Sequence, residues 1–305
     1  LVDLANTLRP DRPSGYRGRF APSPSGPLHF GSLIAALASY LDAKHNHGQW
    51  LVRIEDIDPP REQAGASKSI LTTLECFGLH WDEHVLYQSQ QTAIYRQVLA
   101  ELKQQQLSYY CQCTRADIKA NGGIYLGHCR NLAQPEYHSA IRVKNSAAIS
   151  QYQDLIQGRV SCHPELAKED FIVFRRDGLF AYQLAVVVDD IYQGISHVIR
   201  GCDLLEPTAR QLSFYQILQQ PAPRYAHVPL AVTAQGYKLS KQNRAPAIDN
   251  NNPVPALFAA LQFLGQQPPS ELLSASVAEI LAWATSHWSI AQVPKVTEIT
   301  YPQGD

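Results

Sequence analysis

One order of elements constrains this chain more than any other feature: a strand, a helix and a second strand within its first sixty residues. Residues 16–21 read as a short strand and residues 50–54 as a second, buried one. Between them Pro22, Pro24 and Pro27 make a rigid, kinked loop, because each proline fixes φ and removes a donor. A helix follows over residues 31–47. Leu33, Ile34, Ala35, Ala36, Leu37 and Ala38 leave it almost no polar face, so most of its circumference must be buried. Gly48 supplies a stop. A helix crossing between two strands in so short a span makes them parallel neighbours. The expected fold is α/β, with a Rossmann-type parallel sheet.

The rest of the chain is compatible with that class. Its 305 residues suffice for one large domain or two modest ones, and 45% of them are hydrophobic, as a packed core requires. A net charge of −1 excludes a uniformly basic nucleic-acid binder but leaves room for a local basic track. The longest greasy stretch, residues 33–41, is too short to span a bilayer and is interrupted by Ser39. Residues 1–13 contain no apolar run of the secretory type, so a cytoplasmic protein is expected, without membrane association. Helices are expected over 67–79, 90–106, 207–219, 253–264 and 276–288, and short strands over 107–165, 171–175 and 197–200. The segment after 288 is expected to fray.

Three groups of residues carry chemistry. The first is the loop and helix start from Arg19 to Ser32, which includes Phe20, Ala21, Pro22, Ser23, His29 and Gly31. It lies where a βαβ unit binds ligands, and amides at a helix N-terminus favour phosphate. His29 can donate to a phosphate, and Gly31 lets a flat base lie against the backbone. The second is Lys238-Leu239-Ser240-Lys241-Gln242 after Gly236, a loop whose lysines can close over a triphosphate. The third is Cys111, Cys113 and Cys129. Three thiols within nineteen residues suit tetrahedral zinc, with one ligand still to be supplied. Chemistry alone nominates His128, although its adjacency to Cys129 makes joint ligation awkward. Cys76, Cys162 and Cys202 are expected to be inert packing residues.

Taken together, R-F-A-P-S-P-S-G-P-L-H-F-G and the later K-L-S-K make the chain resemble the class I aminoacyl-tRNA synthetases, most closely their glutamyl branch. Arg53-Ile54-Glu55-Asp56-Ile57-Asp58, Val187-Val188-Asp189-Asp190 and residues 194–201 extend the resemblance from about 16 to 246, in the family's order. Only about sixty residues follow the lysine loop, so no anticodon-binding domain is expected. That shortened form and the cysteine pattern look like the glutamyl-Q tRNA(Asp) synthetase family.

The resemblance implies that ATP, with Mg²⁺, is bound by His29, Gly31, Ser32, Lys238, Ser240 and Lys241, with His29 and Lys241 catalytic. It implies a glutamate pocket of Arg19, Phe20, Ala21, Pro22, Ser23, Glu55, Tyr182 and Arg200. Arg19 would meet a substrate carboxylate and Glu55 the ammonium. The family's C-x-C…Y-x-x-x-C pattern supplies Tyr125 as the fourth ligand of one structural zinc, with His128 the alternative. Glutamate would be activated as its adenylate and passed to the queuosine base of aspartate tRNA, by a monomer. The rivals are a truncated synthetase charging the 3′ end of glutamate tRNA, and a non-catalytic paralogue binding RNA or protein. Gln242 departs from the pattern and leaves the loop with less positive charge. The expected division is 1–75 and 186–250 for the two halves of the nucleotide-binding domain, 76–185 for the zinc-bearing insertion and 251–305 for a helical tail.

Overall fold

The structure, a computed structural model, describes residues 14–239 and 246–301. The predicted βαβ unit is present. Strand β1 (Arg17–Phe20) leads through the proline loop into helix α1 (Phe30–His45), which returns to β2 (Gln49–Ile54). The two strands pair in parallel, with Arg19 opposite Leu51. Helix α2 (Ala66–Cys76) then leads to the two-residue strand β3 (Leu86–Tyr87), parallel to β2. On the other side of β1 lies a second parallel pair, β9 (His197–Gly201) and β10 (Arg224–Val228), with Arg200 opposite His227. The Ser196 amide donates to the Arg17 carbonyl oxygen at 2.9 Å and joins the two halves at β1 and β9. The chain thus winds outward in opposite directions from β1 and β9. Ligands of such sheets bind at that reversal, beyond the carboxyl ends of the strands.

Between the halves run helix α3 (Thr92–Gln104), strand β4 (Ser108–Cys111), helix α4 (Arg115–Ala120), strand β5 (Ala140–Val143), the pair β6 (Gln151–Asp154) and β7 (Gly158–Ser161), helix α5 (Pro164–Lys168) and strand β8 (Ile172–Phe174). Here β4, β5 and β8 form an antiparallel sheet in that order, and β6 and β7 form a hairpin. Helix α6 (Tyr182–Tyr192) follows β8, and α7 (Leu205–Ile217) follows β9. The expected boundary between 185 and 186 falls inside α6.

Two apolar cores result. Leu33, Leu37 and Leu41 of α1 pack with Trp50 and Val52 of β2 and with residues of α8 (Pro253–Phe263) and α9 (Val277–His287). Tyr95 and Val98 of α3, Leu184 and Val187 of α6, and Phe214 of α7 pack with Val143 and Val173 from the inserted sheet. The tail is held firmly: the Trp288 indole donates to Asp42 of α1 at 2.8 Å. It also does not fray as expected. Residues 298–300 form β12 (Glu298–Thr300), parallel to β11 (Leu230–Val232). A strand this short draws its order from its neighbour and carries almost no signal of its own. Cys76 also departs from expectation, being exposed at the end of α2, while Cys202 is buried and Cys162 partly so.

Candidate active site

The carboxyl ends of β1, β2 and β9 and the amino end of α1 open into a cavity of about 670 Å³. Every described residue expected to bind ATP or glutamate lines it: Arg19, Phe20, Ala21, Pro22, Ser23, His29, Gly31, Ser32, Glu55, Tyr182, Arg200 and Lys238. Ser240 and Lys241 fall outside the described residues, but the segments flanking them are placed. Before them, the Leu239 amide donates to the Ala231 carbonyl oxygen at 2.8 Å. After them, Ala247 bridges to His29, and the Ile248 amide donates to the Leu28 carbonyl oxygen at 3.1 Å. Both flanks of the lysine loop therefore lie at the start of α1. A larger cavity, about 980 Å³, borders the C-terminal ends of α1 and α2 and holds none of the expected substrate residues.

At the phosphate end, His29 is the N-cap of α1, its Nδ1 accepting from the Ser32 amide at 3.3 Å. That assignment puts the proton on Nε2, which faces Ser32 Oγ at 3.0 Å. A Cβ on Gly31 would lie 3.0 Å from the Leu239 carbonyl oxygen, so glycine here lets the lysine loop approach the helix. Lys238 is ion-paired with Asp203.

Beneath the other end lies a buried charge network. Arg19 spends Nε and Nη2 on Asp190 Oδ1 and Oδ2 at 3.2 and 3.3 Å. Arg53 Nη2 donates to the same Asp190 Oδ1 at 2.7 Å. Burial alone would raise Asp190, but the two guanidiniums outweigh it and hold the carboxyl below the usual range. Glu55 sits 3.8 Å from Arg53, and its pKa is raised by burial more than Arg53 and Arg19 lower it. A cation arriving beside Glu55 would favour its charged form. Thus Arg53 and Asp190, legible only as motif letters, are the supports of the pocket wall.

Arg200 differs from Arg19 in having no carboxylate partner among the described residues. Its Nε donates to His227 Nε2 at 3.1 Å, and its Nη2 donates to Thr208 Oγ1 and Gln211 Oε1 at 2.6 and 2.7 Å. Nη1 is buried with no partner. Behind it, His227 Nδ1 donates to Asp154 Oδ2 at 2.6 Å. The Asp154 carboxylate also accepts the Ile156 and Gln157 amides at 2.9 and 2.8 Å. Asp154, His227, Thr208 and Gln211 escaped sequence reading. His227 is brought to Arg200 by the pairing of β9 with β10, which requires the register, and Thr208 and Gln211 reach it from α7.

The cysteines also converge. The sulfurs of Cys111, Cys113 and Cys129 all lie within 4.8 Å of one another, and Cys113 and Cys129 are 3.6 Å apart. Four-coordinate zinc with Zn–S of about 2.3 Å needs just such spacings. The Tyr125 hydroxyl accepts the Cys129 amide at 2.9 Å, and the Arg142 guanidinium stacks on the Tyr125 ring at 3.7 Å. His128 is exposed and stays outside the cluster. The three thiols can hold a metal ion.

Comparison with known proteins agrees with this geometry. Residues 16–280 match the family model described as tRNA synthetases class I (E and Q), catalytic domain. The glutamyl-Q tRNA(Asp) synthetase of Colwellia psychrerythraea is 62% identical, over 98% of each chain. That of Escherichia coli K12 is 56% identical over 92% of this chain and 91% of its own. Among solved structures, the glutamate-tRNA synthetase of Elizabethkingia anophelis superposes with a TM-score of 0.77 at 26% identity, over 95% of this chain and 68% of that one. The chain belongs to the glutamyl-Q tRNA(Asp) synthetases, within the class I synthetase catalytic-domain family.

Proposed function

We propose that the chain activates L-glutamate with ATP and transfers it to the queuosine base of aspartate tRNA. The observation that carries the reading is Arg200. It is a buried guanidinium with Nη1 unpartnered and no carboxylate within ion-pair distance among the described residues, in the same cavity as Glu55 and the start of α1. Such an orphan is costly unless a carboxylate arrives to meet it. Glutamate brings two carboxylates and one ammonium. Arg200 takes one carboxylate, Glu55 the ammonium, and Arg19 with Phe20, Ala21, Pro22, Ser23 and Tyr182 shapes the rest.

The reacting carboxylate attacks the α-phosphorus of ATP. The bond from that phosphorus to its bridging oxygen breaks and pyrophosphate leaves, giving glutamyl-adenylate. The chain supplies position and charge rather than a nucleophile. His29 Nε2–H, Ser32 and Ser240 hold phosphate oxygens, Gly31 lets the base lie against the backbone, and Lys238 and Lys241 offset the charge on the departing pyrophosphate. Synthetases of this class use ATP with Mg²⁺, which neutralises part of the triphosphate charge.

Cys111, Cys113, Cys129 and Tyr125 would hold one structural zinc, leaving no open position for water. The zinc-bearing stretch would be an insertion between the two halves of the nucleotide-binding domain, followed by a helical tail. We place the protein in the cytoplasm, as a monomer. Among the described residues no helix is long and apolar enough to cross a membrane. The test is glutamate transfer to aspartate tRNA with and without queuosine, and to glutamate tRNA. Label only on the queuosine-containing tRNA supports the reading. Label on the 3′ end of glutamate tRNA replaces it with the truncated-synthetase rival.

A further inference from the structure

A second cavity, about 340 Å³, adjoins the first and shares Ser23, Ser25, Glu55, Arg61 and Tyr182 with it. The size is at the small end of ligand pockets, roughly 300–1,000 Å³. Its lining includes the apolar side chains of Phe180, Ile57 and Ile172. Its rim carries Asp58, Glu62 and Arg175. Asp58 is engaged by Arg61 and Arg175, each at 3.2 Å. Glu62 meets no cation among the described residues, and Asp56 and Asp58 crowd it with like charge. Gln88, fully buried, also lines the cavity. Its Nε2 donates to Asp189 Oδ2 at 2.7 Å, which fixes the amide and leaves Oε1 with no hydrogen bond. A buried acceptor left empty in this way calls for a donor from outside the chain.

These features describe a ligand: a flat ring for the apolar lining, a cation for Glu62, and a hydroxyl or N–H for Gln88. Queuosine has that chemistry, a deazapurine whose secondary ammonium carries a cyclopentene diol. We propose that this second cavity is the acceptor subsite, which seats the modified base so that a diol hydroxyl reaches the glutamyl-adenylate in the first cavity. This rests on the function proposed above. The hydroxyl oxygen bonds to the adenylate carbonyl carbon, the carbon–oxygen bond to phosphate breaks, and AMP departs, its phosphate taking the hydroxyl proton. Glu55 and Tyr182, on the shared wall, stand where the two ligands meet.

The two half-reactions separate the outcomes. The probes are glutamate-dependent ATP–pyrophosphate exchange, and glutamate transfer to queuosine-containing aspartate tRNA. Glu62→Gln removes the rim charge on an exposed side chain. Ile172→Trp fills the cavity from β8. Both variants should exchange within about twofold of wild type, while transfer falls at least about tenfold, chiefly as a higher KM for the tRNA. Normal transfer by both variants would overturn the subsite. Equal losses in exchange and transfer would also overturn it, by placing these residues in the activation pocket. Wild-type protein that exchanges but transfers nothing to this tRNA would overturn the functional reading, and the subsite with it.

Discussion

Arg200 stands at the end of a chain of fixed hydrogen bonds, and that is what makes it specific. Two contacts on Nη2 and one on Nε leave a single direction for Nη1. A lysine cannot reproduce that fork. Arg200→Lys should therefore raise the glutamate KM in ATP–pyrophosphate exchange by roughly 10²–10³, the loss of ~3–4 kcal/mol from two charge-assisted hydrogen bonds. An unchanged KM would remove Arg200 from the pocket. His227 adds a pH dependence. Burial lowers its pKa; Asp154 opposes this, and the Arg200 charge adds to the lowering, so the folded value lies below the ordinary 6.5. The neutral ring, whose Nε2 accepts from Arg200, is the form the fold selects. Its stability contribution is complete above about pH 6.5 and is lost as pH falls from there toward the folded value. The melting temperature should decline below pH 6.5 in wild type, and glutamate affinity only nearer the lowered folded value, where the folded ring itself takes up a proton. His227→Gln should show a flatter decline in both; an equally steep one would assign the effect elsewhere. Arg200 was named from the sequence, but the residues that hold it were not. Asp154 and His227 are 73 residues apart, and only strand register brings the histidine to Arg200.

At the scale of elements, the cysteine site depends on strand β4 and the loops around α4. Cys111 ends β4, Cys113 lies just before the α4 cap at Thr114, and Cys129 follows in a turn. A bound metal would close a loop that otherwise rests on few apolar contacts, so metal affinity and local folding should be coupled. Purified protein should carry about one zinc per chain, and Cys113→Ser should lose it. Hydrogen exchange should then rise first over residues 111–130, with α1 and β2 still protected; zinc retained in the variant would dismiss the site. What the sequence displayed well was of this scale. The βαβ unit announced itself through prolines, an all-apolar helix and a glycine stop. The cysteine spacing pointed to a metal directly. Strands β10, β11 and β12 did not, because strands of three to five residues are defined by their partners. Arg19 shows the same limit: its place on the pocket wall was legible, its pairing with Asp190 on α6 was not.

In the whole molecule, the tail and the active site are mechanically joined. Strand β12 pairs with β11, where the Leu230 amide donates to the Thr297 carbonyl oxygen at 2.9 Å and the Tyr301 amide to that of Val232 at 2.8 Å. The Tyr301 ring stacks on Phe30, the first residue of α1, at 4.0 Å. Strand β11 in turn holds the near flank of the lysine loop through the Leu239 amide. Strand β12 therefore braces both the start of α1 and the near flank of the lysine loop. Ending the chain after Val296 should remove two or three ladder bonds of about 1 kcal/mol each and two aromatic pairs, Tyr301 with Phe30 and with Phe263, of ~0.5–1.5 kcal/mol each. At ~3–6 kcal/mol in all, the melting temperature should drop by about 5–9 °C. The protein should remain folded at 20 °C, so activity can be read separately. If β11 positions the lysine loop, the exchange rate at saturating glutamate should fall about tenfold while the glutamate KM stays put. Arg200 and Glu55 lie on β9 and at the end of β2, neither of which pairs with β12. A loss of stability with a normal exchange rate would mean that the far flank, at Ala247 and Ile248, suffices to place the loop.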